Sequence, residues 1–497
     1  MMGTAMARTG HAVAWTLVML AAGIFAGFVG AYPAQVLPLV VLCVVAGLAI
    51  LAVQRPDWGL YALTFATYLS LSEVAVNDHG APSLAKFLVL GLLATVMVRW
   101  FLYGDRPTPD AGPLVAMGAV WLAAAVTVPF AANADAALDT LNRLTRDMAI
   151  GVLVLLVLVQ PVMLRRVGWA LIAAGAILGT ISTHQYLTGS FDNSYFGFGK
   201  TQLMQIVGEE TSYRQTGPID DPNTYAQILL IVIPIAAERF VHSRSYIGRC
   251  LAGIAFIACV LSLVFTFSRG AFLALVVVGA LMVISWYWRP RRLAAIALLI
   301  ALALPFIPEL YTDRLRAAGL WPGEPSTTKL HKADPAVEGR LTEMQVALYI
   351  FADHPVMGIG IGNFRDYFQS YVNRHGLPPR HEARQAHSLY LEIAAENGLI
   401  GLFAFGALIV LAARSLWQGW RRLKRAHEED LAARVQAVAF GLIGYGIAAL
   451  FLHSAYGRYM WLLLGIALAC NRVSRAAVPA QAARSPDPDG PGRVQMR

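Results

Sequence analysis

The sequence predicts an all-α, polytopic integral membrane protein with about 12–14 transmembrane helices and two long loops on its outer side. Three observations carry that prediction. Of its 497 residues, 57% are hydrophobic and only 14% charged, whereas soluble domains carry about 25% charged residues. Mean hydropathy is +0.56. Finally, apolar runs long enough to cross a bilayer recur along the chain between mostly short polar connections. A spanning helix needs about 20 apolar residues, so such a set leaves room outside the bilayer for little besides loops.

The runs fall at 11–30, 34–53, 58–75, 83–100, 113–131, 147–164, 167–187, 223–240, 250–267, 271–288, 293–308, 399–416, 433–452 and 455–471. Alternate connections carry the arginines: Arg55, Arg99 with Arg106, Arg165 with Arg166, Arg239 through Arg249, Arg289 through Arg292, Arg414 through Arg434, and Arg472 with Arg475. The positive-inside rule makes these connections cytoplasmic. The two long polar stretches, 188–222 and 309–398, then lie outside, where loops of such length are expected to carry function. The organisation read from this pattern is 1–187 N-terminal spans, 188–222 outer loop, 223–308 central spans, 309–398 large outer loop with short helices, 399–475 C-terminal spans, and 476–497 a disordered cytoplasmic tail. Arg8 followed by an apolar run resembles a signal sequence but lacks an A-x-A site, so it reads as a retained first helix.

Composition also excludes classes. The net charge of +9 is scattered between apolar runs, a pattern of membrane topology and not of a nucleic-acid patch. Cys43, Cys250, Cys259 and Cys470 lie in or beside apolar segments without zinc spacing and read as small hydrophobes. There is no G-x-x-x-x-G-K-[ST], and the one Asp-x-Asp, Asp487 and Asp489, sits in the tail. The expectation is therefore no metal ligand, no cofactor and no ATP site.

Four motifs remain on the outer side. In His387-Ser-Leu-Tyr-Leu-Glu-Ile-Ala-Ala-Glu-Asn-Gly398, a short helix from about His387 to Glu396 is expected to stop at Asn397-Gly398. His387 reads either as a solvated interfacial histidine or as a general base, since neutral imidazole takes a hydroxyl proton near pH 7. Glu392 and Glu396 share another helix face and read as supporting residues. Thr266-Phe-Ser-Arg-Gly270 places Arg269 at the hydrocarbon edge, where it either snorkels to headgroups or faces a polar cavity. For Lys86 and Arg458, at other outer helix ends, snorkelling is the preferred reading. In Arg214-Gln-Thr-Gly-Pro-Ile-Asp-Asp-Pro-Asn223, Asp221 or Asn223 is expected to cap the next helix. Arg340 opens a helical run that leads to His354-Pro-Val-Met-Gly-Ile-Gly-Ile-Gly-Asn-Phe364, whose glycines suggest a flexible turn near a phosphate or sugar, not a dinucleotide fold.

Taken in order, the T-G-P-x-x-D-P-N at 216–223, S-R-G at 268–270, the run from Arg340 to Phe364, and H-S-L-Y-L-E-x-x-x-E-N-G-L-I-G at 387–401 resemble the bacterial O-antigen ligase and O-antigen polymerase superfamily. The resemblance implies a GT-C-like, inverting, metal-independent glycosyltransferase of the bacterial inner membrane with its site facing the periplasm. It implies an undecaprenyl diphosphate-linked glycan as donor and a glycan, lipid A core or protein hydroxyl as acceptor. His387 matches the family's catalytic histidine, and Arg269 and Arg340 match arginines thought to hold the diphosphate; Arg214 is a third diphosphate candidate. Ser388 departs from the Asn often found there. The residue chemistry is coherent with this: guanidinium offers bidentate donors to a departing phosphate, and cleavage of the sugar diphosphate bond supplies the driving force without ATP. The competing readings are a transporter or flippase of the same lipid-linked glycan, which predicts ionisable residues near the midplane, and a membrane scaffold.

Overall fold

In the computed structural model, the residues described are 55–105, 109–205, 211–287, 335–378, 385–452 and 457–482. The architecture is all-α, as expected, with one small two-stranded sheet among the described residues. Fourteen helices follow in chain order: α1 Pro56–Tyr68, α2 Leu71–Asn77, α3 Leu84–Tyr103, α4 Ala111–Thr127, α5 Ala134–Val157, α6 Pro161–Thr188, α7 Pro222–His242, α8 Tyr246–Phe265, α9 Arg269–Tyr287, α10 Pro335–Asp353, α11 Phe364–Arg374, α12 Leu389–Arg425, α13 Glu429–Ala448 and α14 Arg458–Ala482. Strands β1, Lys200–Gln205, and β2, Thr211–Gly217, pair antiparallel in the first long loop.

Nine described helices are long and apolar enough to cross a membrane, ten if the bent pair α1 and α2 counts as one span. The runs at 11–30, 34–53 and 293–308 lie outside the described residues. The run at 147–164 is not one span. Its first part ends α5 at Val157, Gln160 is extended, and Pro161 then opens α6, because proline fits a first helical position and cannot continue a helix from the residue before it.

The chain falls into two compact units, 1–59 with 91–106 and 60–90 with 107–497. In the first, a side chain at Gly59 would stand 3.0 Å from Leu92, and Arg99 pairs with Asp105 at 2.5 Å. The second contains every candidate functional residue. At its centre stands α7, buried along 83% of its most apolar stretch; α14 follows at 72%. α7 begins where it does because Asp221 accepts a hydrogen bond from Thr224 N at 2.6 Å and Pro222 takes the first position; such a cap is worth about 1 kcal/mol. α6 and α8 approach closely through Gly179, whose missing Cβ would lie 2.8 Å from the carbonyl carbon of Ala258.

The β-hairpin is fastened by Lys200, which reaches Asp78 at 3.1 Å and Asp220 at 3.2 Å. Partial burial works against the Lys200 charge, but hydrogen bonds to the two carboxylates outweigh it and hold the ammonium above its ordinary range. Arg458 does not snorkel as expected; it forms an ion pair with Glu73.

Candidate active site

α10 carries a buried stripe at Val346, Ala347 and Ile350, and Glu343 continues that stripe one turn earlier. A carboxylate on such a stripe is costly unless something polar faces it. Here His387 does: its Nε2 lies 3.4 Å from Glu343 Oε2, the glutamate side chain 3% exposed and the histidine 19%. Arg340, three residues before Glu343, lies on the same side of α10 and is half-buried.

The backbone presents His387 in an unusual way. Its φ is 44°, in the left-handed region, a conformation costing a non-glycine residue of order 1–3 kcal/mol. Ser388 is then extended and α12 starts at Leu389, two residues later than the sequence suggests. Burial of Ala386, Ser388 and Leu389 on either side holds the turn in place. The surrounding core joins Val346 and Ile350 to Phe364, Phe368 and Val372 of α11 and to Ala395 of α12. Two polar contacts close it: Tyr371 donates to Asp353 at 2.9 Å, and Arg374 reaches the same oxygen at 2.9 Å. Burial, then the Asp353 carboxylate, pushes the Tyr371 hydroxyl up to about 12.

α12 is broken at Gly398, with φ 61° and ψ −157°. Into the break lies the glycine-rich loop: Ile359 N donates to Ala395 O at 3.0 Å, Gly360 N to Glu396 O at 3.0 Å, and Leu399 N to Pro355 O at 2.8 Å. A Cβ on Gly398 would stand 2.4 Å from Val356 O, and one on Gly358 2.3 Å from the carbonyl carbon of Glu396. These glycines therefore serve close backbone approach. Glu396 Oε1 accepts from Phe364 N at 3.2 Å, so this buried carboxyl ties α12 to the start of α11. Asn363 continues the lacing, accepting from Asn133 N at 2.7 Å and donating to Asn133 O at 3.2 Å. Glu392 lies half-buried one turn before Glu396.

A second group forms where β2 meets the end of α8. Arg214 Nε donates to Thr266 O at 2.7 Å and its Nη2 to Asn223 Oδ1 at 3.0 Å. Asn223 is thus no cap; that role belongs to Asp221 alone. Thr266 leads through Phe267, at φ 52°, to Ser268 and to Arg269, the first residue of α9.

Both groups border one end of α13. A Cβ on Gly270 would stand 2.9 Å from the Phe451 ring, just beyond that helix. Tyr390, three residues after His387, donates to Gly446 O at 2.9 Å. Sequence reasoning singled out His387, Arg269, Arg340 and Arg214 but missed Glu343. The available signal was its place on the apolar stripe of α10, one turn after Arg340.

Comparison with known proteins adds a family. Residues 254–406 match the O-antigen ligase family model. The matched segment contains Arg269, Arg340, Glu343, His387, Glu392 and Glu396, and it leaves Arg214, Asp221 and Asn223 outside. A search among curated proteins finds no match. Through residues 254–406 this chain is similar to the O-antigen ligase family, and nine of its described helices are long and apolar enough to cross a membrane.

Proposed function

We propose that the protein transfers a glycan from undecaprenyl diphosphate to an acceptor hydroxyl at the periplasmic face of the bacterial inner membrane, in one inverting displacement. The observation that carries this reading is the juxtaposition of His387 with the buried carboxylate of Glu343, on a turn held by a packed core. The acceptor oxygen attacks the anomeric carbon, the bond from that carbon to the diphosphate oxygen breaks, and the hydroxyl proton passes to His387. The Glu343 carboxylate beside Nε2 stabilises the imidazolium that forms when the ring takes the proton. A positioned base of this kind contributes about 10²- to 10⁴-fold.

The departing diphosphate needs cations as its charge develops. Arg269 and Arg340 supply them, since guanidinium keeps its charge and matches phosphate with a planar fork. Arg214 contributes by fixing the Thr266 carbonyl, which sets the connection from which Arg269 emerges. Glu392, Glu396, Asp221 and Asn223 hold the frame.

The test is a reconstituted assay with purified protein, lipid-linked glycan and acceptor, following formation of the new glycosidic bond and its anomeric configuration. An inverted linkage with release of undecaprenyl diphosphate is expected. Translocation of intact lipid-linked glycan without bond formation would favour a transporter. Disruption of the gene, followed by analysis of the surface glycan, distinguishes the acceptors: uncapped lipid A core, single repeat units, or unglycosylated protein.

A further inference from the structure

The far end of α12 carries charges that the proposed reaction does not use. Arg414, Trp417, Gln418, Arg421, Arg422 and Arg425 line a groove of about 820 Å³ between α12 and the last turns of α14. The spacing explains the lining. At 100° per residue, positions 414, 418, 421 and 425 fall on one stripe of the helix, with Trp417 and Arg422 flanking it.

Fold and groove divide the arginines between them. Arg422 is committed to the packing of α12 on α14, donating to Asn471 Oδ1 at 2.7 Å and to Ser474 Oγ at 2.7 Å. Ser415, donating to Ala467 O at 2.9 Å, and Gly419, whose Cβ would meet Cys470 O at 3.1 Å, complete that seam. Arg414 and Arg425 are exposed and have neither a hydrogen bond nor an ion pair among the described residues. Arg421 lies over the Trp417 ring at 5.7 Å. Two nearby acids are engaged elsewhere: Glu429 with Lys424, and Asp430 with Arg239 and Arg434.

The height of the groove identifies its ligand. Counted from the break at Gly398, a hydrocarbon thickness of about 30 Å is crossed in about 20 residues, which ends near Gln418. Arg414 therefore stands at the edge of the hydrocarbon, the 57% exposed Trp417 at the headgroup boundary, and Arg421 and Arg425 beyond it. An exposed tryptophan beside phosphate-matched cations fits a molecule that is itself half hydrocarbon and half anion. We infer that this groove binds the phosphate headgroup of an anionic phospholipid of the leaflet opposite the reaction. Basic pockets between spanning helices on the cytoplasmic side take such headgroups.

The test uses the full chain, purified in non-ionic detergent and examined by native mass spectrometry with added phosphatidylglycerol, phosphatidylcholine of the same acyl chains, or inorganic phosphate. Wild type is expected to retain phosphatidylglycerol in preference to phosphatidylcholine, with inorganic phosphate failing to displace it. The triple variant Arg414→Gln, Arg421→Gln, Arg425→Gln is expected to lose that preference, at about fivefold per arginine, while the corresponding lysine variant keeps part of it. Equal retention of the two lipids by wild type, or undiminished preference in the glutamine variant, overturns the inference. Displacement by millimolar inorganic phosphate overturns the lipid in favour of a free anion. If the full chain binds no lipid but a chain ending at residue 482 does, the acidic segment containing Asp487 and Asp489 is the occupant and the inference is likewise wrong.

Discussion

Glu343 Oε2 stands 3.4 Å from Nε2 of His387, although a whole helix and a glycine-rich loop separate them in sequence. A buried carboxylate beside an imidazole fixes the ring and stabilises its protonated form, so the two residues act as a unit in the proposed chemistry.

Replacing Glu343 by Gln keeps the shape and removes the charge. Turnover is expected to fall by about 10-fold or more, within the range that the whole base contributes. The pH profile carries the specific signature. Without the carboxylate, imidazolium is less stable, the neutral base survives to lower pH, and the acid limb of the turnover profile moves to lower pH. A loss of turnover with an unmoved limb would make Glu343 a packing residue only.

Gly398→Ala tests the broken helix. The new methyl would sit 2.4 Å from Val356 O at a φ of 61°, so a loss of at least about 2 kcal/mol in thermal or denaturant stability is expected. Gly406→Ala, in the same helix with nothing within 4 Å of the added carbon, should be neutral or mildly stabilising. Equal effects at the two positions would show that the loop is not docked in the break.

These sites differ in how much the sequence reveals. Hydropathy locates most spans because burial in lipid demands a continuous apolar run, but it merges the end of α5 with the start of α6, since the residues around the break are themselves apolar. Asp221 as a cap is legible because capping is local. The partnership of Arg214 with Thr266, of Arg458 with Glu73 and of Glu343 with His387 is not, because helix packing alone decides which distant turns meet. The docking of the glycine-rich loop on α12 is hidden for a related reason: glycine permits close approach to any partner, and the sequence does not name that partner.

The arginines separate into two roles. Arg269→Ala and Arg340→Ala should each cost far more activity than Arg374→Ala, whose exposed side chain pairs with Asp353, and lysine should substitute only in part. Arg214→Ala and Asn223→Ala should be non-additive, since both remove the same 3.0 Å bond. Because arginines carry the leaving-group charge in this account, activity should persist in excess chelator. Activity lost in EDTA and restored by magnesium would contradict that assignment.

Orientation is tested by an impermeant thiol reagent in intact cells, after replacing Cys250. Ser370→Cys, exposed on α11, should label once the outer membrane is permeabilised, and His427→Cys, between α12 and α13, should not. The reverse pattern would put the proposed site on the wrong side of the membrane.

Whether His387 takes the proton of the acceptor hydroxyl is read from turnover and donor affinity of His387→Ala, measured side by side. His375→Ala, which removes a ring stacked on Tyr349 at 3.9 Å and on Tyr371 at 6.0 Å, serves as the control for losing an imidazole. As general base, His387 is expected to cost about 10²- to 10⁴-fold in turnover on replacement by Ala, while donor affinity and folding stay near wild type. Turnover within a few-fold of wild type, with donor affinity alone weakened, would make His387 a diphosphate ligand and leave the proton to another group.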